Sequence, residues 1–245
     1  MTAPYYQDEF VTLWHGDCLE HPEWWTGADV LVTDPPYGIG WTRNGISNTS
    51  AADRAAGNFN GKARSHFSDA GIFNDETPEV RDRALAAWGD GPALVFGSFY
   101  APFPAGFRHV AVFVKALDSG AMSALGGIRR DVEPIFMLGH HPDWKRGGRR
   151  TSVFQTRARS AGNPSGYAGR AGHPHAKPLD VLEELITEAA PPGTIADPFA
   201  GSGSTGVAAK ALGRKAILVE LEERYCEIAA RRLSQDVLDF SGGAS

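Results

Sequence analysis

The sequence is poor in cysteine, has no long apolar run and carries no overall basic charge. Two cysteines in 245 residues, Cys18 and Cys226, cannot build a disulfide framework or a metal cluster. They read as a thiol flanking a site and a thiol in the core, and a reduced, cytoplasmic setting is expected. No apolar stretch approaches the ~20 residues that span a bilayer, so no membrane contact is expected. The start, MTAPYYQDEF, lacks the basic residues and apolar core of a signal peptide. A net charge of −5, taken whole, argues against a nucleic-acid partner. His140 and His141 lack cysteine or acidic companions, so no metal site is read there. No Ser-His-Asp or Cys-His arrangement for nucleophilic catalysis is visible.

What is present is ordinary for a globular chain. Apolar residues make up 42%, charged residues 22% and aromatics 10%. These values exclude a disordered, collagen-like or coiled-coil chain. At roughly 150 residues per domain, the length allows one large domain with an insertion. Charge is unevenly spread. Residues 140–172 hold Lys145, Arg146, Arg149, Arg150, Arg157, Arg159 and Arg170 against the single acid Asp143, a local balance of +6 that leaves −11 elsewhere. An acidic body with one basic loop predicts a localised polyanion contact.

Strand and helix patterns alternate. Phe10–Trp14, Ala28–Thr33, Ala93–Phe96, Val110–Val114, Glu133–Leu138, Thr194–Ala196 and Ala216–Val219 read as strands. Helices are expected from Pro78 to Trp88, from Pro178, after Gly203 to a stop at Gly213, and from Glu222 to Leu233. Trp24 and Trp25 read as core. Residues 38–75 show no period and read as a long flexible loop, and 139–172 as a basic insertion. The expected architecture is α/β: a doubly wound, mostly parallel, Rossmann-like sheet in a single domain over 1–245.

Two constellations carry chemistry. Gly201, Gly203 and Gly206 form G-x-G-x-x-G between a strand and a helix, and the next strand ends in Glu220. Glycines admit a ligand close to the backbone, and the acid can accept from both ribose hydroxyls. This is also a dinucleotide fingerprint, but Asp197 directly before the loop would repel a pyrophosphate. It could instead accept from an α-ammonium. The second constellation is Asp34-Pro35-Pro36-Tyr37 at a strand's C-terminal edge. An aromatic exocyclic amine is a poor nucleophile because its lone pair is delocalised. A carboxylate and the Pro35 carbonyl accepting both amine hydrogens would localise it, while Tyr37 offers a face to a flipped base.

Asp34-Pro-Pro-Tyr37 together with Asp197-Pro-Phe-Ala-Gly-Ser-Gly203 resembles the DNA amino-methyltransferases, which use S-adenosylmethionine to methylate N6 of adenine or N4 of cytosine. The motif order, catalytic first and cofactor loop last, resembles their permuted beta class. His173-Pro-His-Ala-Lys177-Pro178 resembles that class's H-P-x-x-K-P segment, which implies that His173 and Lys177 contact the cofactor near its methionine part. Gly16-Asp17 resembles the pair whose carboxylate accepts from the cofactor's adenine amine. Glu133 sits where the family often has a Glu before an apolar strand. The resemblance thus implies a cofactor site of Asp17, Cys18, His173, Lys177, Asp197, Phe199, Ala200, Gly201, Ser202, Gly203, Thr205, Glu220 and Leu221. Catalysis would fall to Asp34, Pro35, Pro36 and Tyr37, and contact with DNA to Arg149, Arg150, Arg157 and Arg159.

The implied partner is double-stranded DNA with a flipped target base; a homodimer is admissible. Because a leading Asp usually accompanies adenine in this family, and a leading Ser cytosine, adenine-N6 is the expected target. Cytosine-N4 is the nearest alternative. A nucleotide-dependent oxidoreductase and a catalytically silent DNA-binding module are the alternatives from other classes.

Overall fold

The strands that the sequence marks as apolar runs form the middle of one large sheet. The computed structural model describes residues 3–39, 75–116, 130–141, 151–157 and 176–235, with the backbone of 41–42 and 45–46. Its strands are β1 (Tyr6–Gln7), β2 (Val11–His15), β3 (Val30–Thr33), β4 (Trp41–Thr42), β5 (Gly45–Ile46), β6 (Ala93–Phe96), β7 (His109–Val114), β8 (Val132–Leu138), β9 (Val153–Gln155), β10 (Ile195–Asp197) and β11 (Ala216–Glu220). Its helices are α1 (Glu79–Trp88), α2 (Leu179–Ala189), α3 (Ser204–Ala211) and α4 (Glu223–Leu233), with a 3-10 turn at Pro22–Trp24.

Nine strands line up as β1-β2-β11-β10-β3-β6-β8-β7-β9. The run β2-β11-β10-β3-β6 is parallel throughout, and β7 pairs parallel with β9. Only β1, and β8 against both its neighbours, pair antiparallel. The expected mostly parallel α/β sheet is therefore present. Every residue of β3, β6 and β10 is buried, as strands covered on both faces require.

Alternate residues serve two cores. Val11, Leu13, Val30, Val32 and Leu94 pack against Leu182, Leu185 and Ile186 of α2, Ala208 of α3 and Leu233 of α4. Leu31, Ala93 and Val95 face the other way, toward Ala84 and Trp88 of α1 and Trp25. Trp25 is wholly buried and donates from its indole N–H to the Cys18 carbonyl at 3.0 Å, so its polar tip is satisfied inside the core. Trp24 stacks on Trp14 and His21 instead.

The strand order sets the position of the site. From β10 the chain passes through α3 to β11 on one side; from β3 it passes through α1 to β6 on the other. The two crossovers lie on opposite faces and leave a crevice beyond the ends of β10 and β3. Ligands bind at such switch points. Although β10 and β11 come last in the chain, they lie between β2 and β3, so the glycine loop and Asp34 share one edge.

Three short pairings differ from expectation. The segment 38–75 was expected as an unpatterned loop, yet β4 and β5 pair within it, Trp41 opposite Ile46. The insertion 139–172 contains β9, which extends the sheet beside β7. Among its three residues only Phe154 is buried, too little to leave a readable period. β1 is a two-residue edge pairing with equally little pattern.

Candidate active site

β3 ends because Pro35 and Pro36 bring no N–H to the ladder. The turn is then pinned by the Gly38 N–H, which donates to Asp75 at 2.8 Å. Asp34 keeps 24% of its side chain exposed, so it faces the crevice while most of it is covered. Its Oδ1 accepts from the Tyr37 hydroxyl at 2.6 Å and its Oδ2 from the Lys177 ammonium at 2.5 Å. Lys177 also donates to the Tyr37 hydroxyl at 3.1 Å, lies 3.4 Å from Glu133 Oε2 and sits 5.0 Å from the centre of the Phe96 ring. Lys115 completes the group, 2.6 Å from the other Glu133 oxygen.

Burial pushes the Asp34 carboxyl above its ordinary range; Lys177 opposes this and Glu133 adds to it. Burial also acts to raise Glu133, but the two lysines outweigh it and hold that carboxyl at about 2. Tyr37 is pushed well above the usual phenol range, by burial first and then by the two carboxylates, and stays a donor.

The second half of the site is the turn after β10. Asp197 is 2% exposed and accepts from the Thr33 hydroxyl at 2.7 Å and the Phe199 N–H at 3.1 Å, with Thr205 also bonding it. Gly201 and Gly203 adopt φ of 51° and 76°, a left-handed backbone that side chains resist. At Gly203 a Cβ would also stand 2.9 Å from that of Ala229, so the loop rests on α4. Arg232 of α4 holds the loop from below, donating to the Ser202 carbonyl at 2.6 Å and to the Ser202 and Ser204 hydroxyls at 2.8 and 3.0 Å. Glu220, at the end of β11, accepts from the Gly201 N–H at 2.7 Å and the Glu222 N–H at 2.8 Å. Burial lifts Asp197 to about 6 and Glu220 to about 7, against the hydrogen bonds that favour their ionised forms. Ala200 is buried and Phe199 half-buried, while Leu221 is 41% exposed beside Glu220.

Asp17 lies just past β2 on the same edge and caps its own turn, accepting from the Leu19 N–H at 2.8 Å. Cys18 and Cys226 are buried, and burial pushes both thiols to about 12, which leaves them inert at neutral pH.

One sheet edge thus gathers Asp17, Asp34, Tyr37, Lys177, Asp197, the glycine turn and Glu220. The resemblance implies a cofactor contact for Lys177; the structure sets its ammonium on Asp34. His173, Arg149, Arg150 and Arg159 lie outside the described residues. Arg157 is described and exposed; its backbone N–H donates to Asp180 at 2.7 Å, three residues beyond Lys177. Sequence reasoning missed Lys115 and Arg232 altogether, and it placed Glu133 by resemblance without a partner. Nothing local marks them, because their partners are distant in the chain.

A family model described as DNA methylase matches residues 113–231. A putative methylase of Escherichia coli K12, YubD, is 30% identical over 236 residues, which cover 89% of this chain and 88% of the relative. Among solved structures, M1.HpyAVI in complex with SAM superposes with a TM-score of 0.57 at 19% identity, covering 92% of this chain and all of that one. The PvuII DNA methyltransferase, titled cytosine-N4-specific, gives a TM-score of 0.60 at 15% identity, covering 97% of this chain and 91% of that one.

Proposed function

Since the chain belongs to the DNA methylase family of the N6/N4 type, we propose that it transfers a methyl group from S-adenosylmethionine to the N6 amine of an adenine flipped out of duplex DNA. The observation that carries the reading is the juxtaposition of Asp34 with the glycine turn across the switch point, bridged by the hydrogen bond from Thr33 to Asp197.

The site's charge suits that cofactor. Asp17, Asp34, Asp197 and Glu220 are four carboxylates on one edge, and burial has already driven two of them toward neutrality. A ligand bearing an ammonium and a sulfonium relieves this, whereas a pyrophosphate would worsen it. Asp197 would accept from the α-ammonium, Glu220 from the ribose hydroxyls and Asp17 from the adenine amine. The glycine turn lets the ligand approach the backbone. The bound cofactor supplies an electrophilic methyl group.

Asp34 does the activating. Its oxygens accept from Tyr37 and Lys177, but a carboxylate has about four lone-pair positions. Of the two left, one can take the target amine, and the Pro35 carbonyl would take the second amine hydrogen. With both hydrogens held, the nitrogen lone pair would be free to form the new N–C bond as the methyl's S–C bond breaks and the neutral thioether leaves, and the amine would lose one hydrogen as a proton by way of Asp34; catalysis would be positioning and electrostatics.

The DNA side has support on the same edge. Phe99 and Tyr100 follow β6 and are 45% and 59% exposed, and the Arg130 guanidinium lies 3.9 Å over the Tyr100 ring. The acidic body and the basic insertion divide the cofactor and polyanion tasks between them.

Two measurements test this reading. Cofactor binding near pH 6.5 should release protons, because an ammonium beside Asp197 and ribose hydroxyls donating to Glu220 favour the ionised forms of carboxyls that are partly protonated in the free protein. Glu220→Gln should abolish its share of that release and weaken binding by about 1.5–3 kcal/mol. Calorimetry in buffers of different ionisation enthalpy reads both; an unchanged release in the variant would remove Glu220 from the site. For the target base, methylated DNA digested to nucleosides and separated by mass should contain N6-methyladenine. N4-methylcytosine alone would reverse the base assignment and leave the cofactor site standing. The likeness to a cytosine-N4 enzyme keeps that reading second; the leading Asp34 places adenine first.

A further inference from the structure

Asp34 does not stand alone. Lys177 approaches it from the segment before α2, Glu133 stands behind Lys177 on β8, and Lys115 approaches Glu133 from the end of β7. The four groups come from four separated stretches of chain and close into one line: carboxylate, ammonium, carboxylate, ammonium. Lys177 and Glu133, the middle of the line, are 10% and 15% exposed, while Asp34 and Lys115 at its ends are 24% and 21% exposed, so the two inner groups are the most covered. We propose that Lys177 is a positioning residue that holds Asp34 ionised and aimed at the target amine, and that Glu133 and Lys115 lock Lys177 in place. The role in methyl transfer rests on the function proposed above; the electrostatic role does not.

The charge balance explains why the second pair is there. A buried carboxylate favours its protonated form, in which it would be a poor acceptor from an amine. One ammonium beside Asp34 opposes this. Lys177 alone, however, is a point charge on a flexible four-carbon stem. Glu133 gives Lys177 a second anchor, and the Tyr37 hydroxyl a third. Glu133 by itself would add negative charge near Asp34 and undo the benefit; Lys115 cancels it. The groups acting on Asp34 are therefore Lys177 and Tyr37 in contact, Glu133 with its Lys115, and Asp197 across the switch point. The Phe96 ring closes the apolar side under Lys177.

The test follows the titration of Asp34. Side-chain carboxyl NMR on the protein without cofactor gives its midpoint independently of any activity. Lys177→Met removes the charge that favours the carboxylate while burial and Glu133 remain. The Asp34 midpoint should rise by about one to three pH units. Lys177→Arg, which keeps the charge, should restore most of it. Lys115→Met touches neither Asp34 nor the substrate side, yet should move the same midpoint upward by a smaller amount, because Glu133 is then uncompensated. The acid limb of kcat/KM should move with the midpoint in each variant, so activity lost at neutral pH returns as the pH is raised.

An Asp34 midpoint unmoved in Lys177→Met overturns the proposal. So does a Lys177 variant that loses cofactor affinity and activity by the same factor at every pH, which would make the lysine a cofactor contact. If Lys177→Met does not fold, Lys115→Met decides alone: no shift overturns the lock. A shifted midpoint in a protein that methylates no DNA would leave the electrostatic proposal standing and sink the functional reading instead.

Discussion

Asp34→Asn is expected to cut methyl transfer by about 10³-fold or more, roughly 4 kcal/mol, while leaving cofactor affinity within a few-fold of the starting protein. The substitution keeps the shape of the side chain and one carbonyl oxygen. It loses the charge, and it turns an amide NH2 toward donors that already converge on this point, the Tyr37 hydroxyl and the Lys177 ammonium. In the proposed reading, ground-state binding of the cofactor depends chiefly on Glu220, Asp197 and the glycine turn. The stabilisation that Asp34 gives grows as positive charge develops on the attacking nitrogen, so its loss falls on kcat. Single-turnover transfer beside calorimetry with S-adenosylhomocysteine separates the two effects. A variant that keeps most of its single-turnover rate would exclude Asp34 as the amine's acceptor. A variant that loses binding and rate equally would make it part of the cofactor pocket.

The turn at Asp34 was legible because several local rules coincide there. A β-branched apolar run reads as a buried strand, two prolines force it to stop, and an acid at a stopped parallel strand lies on the ligand edge. The glycine turn was legible for the same reason, as strand, loop, helix and strand-ending acid recur at fixed spacing. Register and long-range pairing were not. Lys115 and Glu133 read as an unremarkable lysine after one strand and an acid at the start of another. They meet because β7 and β8 pair antiparallel, and the second cation on Glu133, Lys177, arrives from a segment more than forty residues further on. Arg232 shows the same limit. On α4 it reads as one more charge on an amphipathic helix, and only the packing of that helix under Gly203 shows that it ties down the loop. Short edge pairings fail differently. β9 buries one side chain, and a periodic pattern cannot be read from one residue.

Replacing Arg149, Arg150, Arg157 and Arg159 together with alanine is expected to weaken DNA binding and flatten its salt dependence, while cofactor binding survives. Each arginine that neutralises a phosphate releases a counterion, worth ~0.9 in the slope of log affinity against log salt, so up to about 3.6 is lost if all four do so. The body of the protein is acidic and offers little to replace them. Arg157 gives the expectation a structural footing. Its backbone is bound to Asp180 in the first turn of α2 while its side chain is exposed, which puts one guanidinium close to the stretch that carries Lys177. DNA held there would lie beside the crevice to which the proposed reaction brings the target base. The slope is read by titrating labelled duplex across a salt series, with S-adenosylhomocysteine binding as the control for folding. A flatter slope with intact cofactor binding assigns the polyanion contact to the insertion. An unchanged slope would move the contact elsewhere in the chain, with Arg43, Arg54, Lys62 and Arg64 of the segment 38–75, which lie outside the described residues, next to be replaced.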